Sequence, residues 1–305
     1  MAHFSQCGGD RVNGGNQANM KAGAGQPLDL ADLGRRLDER IDAAIERGDW
    51  EQAAGLCDGL AGELSNASMA RLLRSMLAAL QPRLDADQAG MAGQIRAAVA
   101  DRDADRVRAL LAAKTERHRQ SHDVYTQTMA QLMSTMVDLL GADGLEEILR
   151  EVGEDNRGMF EPNAVAGARA QVEGFSKALR AHLGTIRVTE DEDRFTITQD
   201  PCGSGGRLMR AGMFDGEHAL RRVSSDGALT VGRENFPSYC THCPVWLGQQ
   251  HLEWFGLPLV HEPPRTNGDP CVQHIYKRAD RVPADYRDLV GRRAGQAQSQ
   301  REESR

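Results

Sequence analysis

Three of the six cysteines fall between Tyr239 and Lys277, and their spacing constrains this chain more than any other feature. Cys240 and Cys243 stand two residues apart. After 27 intervening residues, Cys271 and His274 repeat that interval. Upstream, Cys202 lies in Pro201-Cys202-Gly203-Ser204-Gly205-Gly206. Soft donors two residues apart fit one tight turn that points both at one ion, which is the spacing of a closed metal site. Cys202, Cys240, Cys243 and Cys271 would complete a tetrahedral shell, with His274 replacing or following Cys271. Zn2+ is the first reading and a 4Fe-4S cluster the alternative, because four cysteines suit either. The third reading has no metal and makes Cys202 or Cys243 a reactive thiol.

Composition decides which settings suit such a cluster. The formal net charge of -7 and sequence pI of about 5.8 argue against a nucleic-acid groove. No run of 18 apolar residues is present, so no membrane span is expected. The first 27 residues lack an apolar signal-peptide core, and the expected setting is cytoplasmic and reducing. There, clustered cysteines mean metal or catalysis more often than disulfides.

Residues 1–27 are Gly-, Asn- and Gln-rich and read as a disordered tail containing Cys7. Residues 28–184 read as helical, with Ala, Leu, Arg, Glu and Met dominating. An internal repeat is expected there. Ile41–Leu56 matches Ile95–Leu110, and Met69–Leu80 matches Met129–Leu140, with turns at Gly48-Asp49 and Arg102-Asp103. His118 and His122, four apart, share a helical face, as a metal or acid–base pair or as a surface pair. Asp123 should point about 100° away from His122.

At Thr185 the period changes to two. Residues 185–189 and 194–198 read as a hairpin, so the domain boundary is placed at 184. The glycine-rich turn after it is either a knuckle whose amides bond the Cys202 sulfur or an anion nest. Residues 228–231 read as a weak strand. Pro244 opens a helix with Cys243 at its N-cap, where the helix dipole would stabilise a thiolate, and Gly256 closes it. His242 should point outward, and the tryptophans of this helix read as core. His251 and Glu253 are the acid–base candidates. Residues 257–261 and 271–277 read as strands. The domains are thus 28–184 and 185–288, with a second tail at 289–305.

These residues also carry a family resemblance. The hairpin, the Cys-bearing helix, the turn into a strand and the last strand beginning Gly268-Asp269-Pro270-Cys271 resemble the 4-vinyl-reductase-like small-molecule-binding domains. They are also similar to the L-2-amino-thiazoline-4-carboxylate hydrolase-like proteins, over residues 120–277. The resemblance implies an α+β domain enclosing a small-molecule pocket, with zinc held by cysteines in some relatives. Cys240 and Cys271 fall where such cysteines stand. The Cys240-x2-Cys243 knuckle and the turn at Cys202 depart from that pattern, so no substrate is carried over.

The expected fold class is α+β, a helical repeat domain followed by a Cys/His-rich domain. The expected function is a metal-dependent, hydrolase-like enzyme acting on a small organic molecule. The alternative is a non-catalytic ligand- or protein-binding module with a structural metal. The sequence leaves the oligomeric state open.

Overall fold

The computed structural model describes residues 35–63, 66–225 and 227–291. The expected tail at 1–27, with Cys7, and residues 292–305 of the tail expected at 289–305 lie outside them; residues 289–291 are helical. The fold is α+β. Two compact units divide between Asp87 and Gln88, not at 184. No helix among the described residues is long and apolar enough to cross a membrane.

In the first unit, α1 (Leu37–Glu46) and α2 (Trp50–Glu63) form a helical hairpin. Gly48 takes φ +73° between them, the left-handed conformation glycine adopts at least cost. The Asp49 N–H closes on the Ala44 carbonyl at 2.9 Å, and the Asp49 carboxylate caps α2 through Gln52 N–H at 3.0 Å. The same closure recurs 54 residues on. Arg102 has φ +55°, the Asp103 N–H reaches the Ala98 carbonyl, and Asp103 accepts from Arg106 N–H. The turns match, but the helices around them do not. The helix after the first turn has 14 residues. Those flanking the second, α3 (Ala67–Ala100) and α4 (Ala104–Asp155), have 34 and 52. The expected repeat of whole units is not seen.

The second unit builds its sheet from β1 (Ile186–Glu190), β2 (Arg194–Gln199), β5 (Val260–Glu262) and β6 (Cys271–Tyr276), and β3 (Arg222–Val223) pairs separately with β4 (Phe236–Pro237). The order is β1-β2-β6-β5, all antiparallel. The hairpin expected at 185–198 is present. Residues 228–230 form a 3-10 turn, not a strand, because Val231 takes a left-handed φ of +50° that ends extended pairing. The strand expected at 257–261 starts later, at Val260.

Alternation sorts the sheet's two faces. Phe195, Ile197 and Gln199 of β2 are buried. They stand opposite Ile275, Gln273 and Cys271 of β6, and His261 of β5 stands opposite Gln273. One end of this inner face is therefore apolar, packed with Val172 of α6 (Ala168–Ala181), which follows the short α5 (Glu161–Ala166), and with Leu247 and Leu259. The other end carries Gln199, Cys271, Gln273 and His261.

Helix α4 explains why the boundary is not at 184. Gly141 (φ +71°) kinks it, and Ala130, Met133, Leu145 and Leu149 on its two limbs join the core containing Phe236, Tyr239, Cys240 and Val245. The helix and the cysteine region share one apolar core. The C-terminal segment is also structured: residues 284–291 are helical. Tyr286 donates to the Leu259 carbonyl and accepts from His261 N–H, each at 3.2 Å, and Val290 is buried.

Candidate metal centre

The turn after β2 brings Cys202 inward. An added Cβ on Gly203 would lie 1.8 Å from the His182 carbonyl oxygen and 2.5 Å from Gly184 N, so only glycine lets these backbones approach. The chain then turns into α7 (Gly205–Arg210). A hydrogen bond from the Cys271 thiol, with backbone N–H groups of Gly206 and Ser204, overcomes burial and pulls the Cys202 pKa down to about 5. The Ser204 hydroxyl stands 3.6 Å from the sulfur. A Cβ on Gly205 would lie 2.7 Å from Cys240 Sγ, so this turn packs directly on the second cysteine.

Cys240 lies in the 3-10 turn Ser238–Thr241, and Cys243 precedes a π-helix over Pro244–Gln250. Such wide turns are rare and frequently mark functional sites. Burial, joined by the Cys202 charge, pushes the Cys240 thiol up to about 12. Burial pushes Cys243 well above the ordinary range, with Cys202 and Cys240 adding to it. At Cys243 burial outweighs the helix terminus, and the thiol that the surrounding hydrogen bonds lower is Cys202. His242 does not point outward. Its Nδ1 meets the Tyr239 carbonyl at 2.5 Å, and its Nε2 stands 3.4 Å from Cys243 Sγ.

Cys271 begins β6, where its Sγ stands 3.1 Å from His261 Nε2. Its thiol is raised by the hydrogen bond it makes to Cys202 and by burial, with the Cys243 and Cys240 charges contributing. His274, the proposed partner of Cys271, is not with it. An interval of three residues on a strand puts two side chains on opposite faces. His274 meets Thr196 Oγ1 at 3.0 Å and Glu262 Oε1 at 3.1 Å, so both its ring nitrogens are engaged elsewhere.

Four thiols thus come within electrostatic range of one another, and none is in a disulfide. Arg233 and Arg222 act on Cys240 from outside the cluster and favour its thiolate. As the side chains stand, no three His, Cys, Asp or Glu groups among the described residues surround a single ion. No family model, curated protein or solved structure matches this chain.

The two acid–base candidates do not reach the sulfurs. His251 is buried among Phe160, Trp254 and Phe255, and its Nδ1 meets the Trp246 carbonyl at 3.1 Å. Glu253 is held by Arg150 at 2.7 and 2.9 Å. The tryptophans beside them are partly buried, and each N–H is bonded, Trp246 to the Leu149 carbonyl and Trp254 to Glu154.

Burial, partly offset by that carbonyl, pushes His251 down to about 4. The folded state therefore resists its protonation. As pH falls below about 6.5 the unfolded chain takes the proton first, and stability declines until about pH 4. The size is about 3 kcal/mol. Replacing His251 with Phe should remove this contribution. As pH drops from 7 to 4 the urea-unfolding midpoint of wild type should fall further than that of the variant. Parallel curves would contradict the assignment.

A separate imidazole cluster lies on α4. His122 Nε2 meets His182 Nδ1 at 2.9 Å, and His118 Nε2 meets the Ala181 carbonyl at 2.6 Å. Asp123 does reach its neighbour, at 3.3 Å from His122 Nδ1, and it also pairs with Arg119 and Arg207. Sequence spacing offered His118 and His122, but not His182. It also missed His261, Gln199 and Gln273 around the cysteines. The signal was available in the alternation: glutamine occupies an inward position in both Phe195-x-Ile197-x-Gln199 and Cys271-x-Gln273-x-Ile275.

Proposed function

We propose that Cys202, Cys240, Cys243 and Cys271 hold one thiophilic metal centre, zinc or a 4Fe-4S cluster, beside a site for a small organic molecule. The observation that carries this reading is the convergence of four thiols from three separate chain segments without a disulfide, one of them a thiolate bonded by two amides. Gathering four such groups in the interior costs desolvation and like-charge repulsion. A bound cation removes both costs, because thiolates are its natural ligands.

With four cysteine ligands the shell is full, which favours a structural or electron-carrying role. Hydrolysis needs an open position on the metal, and its acid–base groups would be His242 or His261 rather than His251 and Glu253. The module reading is therefore the better supported. Elemental analysis and an absorption spectrum of anaerobically purified protein test it. Zinc gives one equivalent per chain and no colour. A cluster gives iron with sulfide and absorption near roughly 400 nm. A folded chain carrying neither sinks the proposal.

A further inference from the structure

The polar end of the sheet's inner face holds three buried side chains whose polar atoms have no partner among the described residues. They are Gln199 Oε1, Gln273 Oε1 and His261 Nδ1. Their residues are only 1%, 2% and 3% exposed. Register places them together. Gln199 lies opposite Cys271, and Gln273 lies between Ile197 and His261. His261 already touches Cys271 through its other nitrogen. An unmet buried acceptor costs about 1–3 kcal/mol, so three on one patch of sheet is a costly arrangement for a core that packing alone designed.

Such local cost is characteristic of sites shaped for a ligand. Glu190 and Lys277 lie at the other, apolar end of the face, beside Phe195; the polar end itself carries no carboxylate, lysine or arginine, so it does not select a charged group. Each carboxamide presents an acceptor beside a donor, whichever way it is turned. The complementary partner is another amide-type edge.

We infer that this patch binds a small, uncharged molecule with an amide-type donor–acceptor edge, such as a carboxamide, lactam or ureide. Gln199 and Gln273 read that edge, and His261 supplies a third contact while linking the ligand to Cys271. The inference rests on the small-molecule half of the proposal above and does not need the metal.

The test titrates the as-purified full chain with 2-pyrrolidinone and with acetamide, following tryptophan fluorescence, with acetate as the charged control. Trp246 packs against the same core as the sheet face and is the reporter. Half-saturation is expected at about 1–10 mM, the range of fragments this small. Gln199→Met and Gln273→Met keep side-chain length and delete the polar atoms. Each should weaken binding at least about tenfold, while the melting temperature holds or rises by about 2–4 °C as an unpaired group is removed. Metal content should be unchanged in both, which separates failure here from failure of the metal proposal. The inference is overturned if wild type gives no saturable response to either amide, or if both variants bind as tightly as wild type. It is equally overturned if both variants melt several degrees lower, the result expected where these amides serve the fold alone.

Discussion

Cys240→Ser and Cys243→Ser should each release the metal and lower the melting temperature by on the order of 10 °C. Metal affinity in such a site is folding energy, since the unfolded chain has no assembled shell. Losing one of four ligands should remove several kcal/mol, and at about 2–4 °C per kcal/mol for a unit of this size the shift is large. The damage should concentrate in residues 185–277, where hydrogen exchange of β2, β5 and β6 reports it. Cys57→Ser is the control, because Cys57 is exposed on α2. It should leave metal and melting temperature unchanged. A Cys240→Ser or Cys243→Ser protein with wild-type metal and stability would remove that residue from the centre.

Gly203→Ala should be nearly as damaging, through the backbone. The new methyl would overlap the His182 carbonyl oxygen at 1.8 Å, and no side-chain rotation relieves a clash with main chain. The turn must open, carrying Cys202 away from Cys271. A loss above about 4 kcal/mol is expected, in the range reserved for such overlaps. The same substitution at Gly90 is the contrast. That residue is exposed on α3, with nothing within 4 Å of the added carbon. There alanine should stabilise by about 0.5–1 kcal/mol, its advantage over glycine inside a helix. Urea denaturation of the two variants checks both. Equal effects would mean that the Gly203 approach is not what seats Cys202.

How much of this was legible in the sequence follows from which forces act locally. The α+β class, the hairpin at 186–199 and the turns at Gly48 and Arg102 were readable, because alternation, turn chemistry and capping are properties of a few adjacent residues. Cys202, Cys240, Cys243 and Cys271 were gathered by spacing and by exclusion of the other two cysteines, and in the fold their thiols lie within electrostatic range of one another. His274 failed because the rule of two intervening residues belongs to a turn, and β6 is a strand there. The lowered thiol at Cys202 was hidden for a related reason. Proline at the first helical position was legible, but the burial of Cys243 and the amides at Cys202 are tertiary. The boundary at 184 followed the change of period. Sharing of a core by Leu145 and Phe236, far apart in the chain, leaves no local mark. His182 and Gln199 are likewise meaningful only through what folds against them.

The measurement that reaches the central claim most directly is X-ray absorption at the metal edge of the as-purified protein, zinc or iron as elemental analysis dictates. A first shell of sulfur alone is expected, four sulfurs around each metal atom, at about 2.3 Å for zinc. A shell of nitrogen and oxygen, or one in which histidine replaces a cysteine, would contradict the assignment of Cys202, Cys240, Cys243 and Cys271 as the ligands.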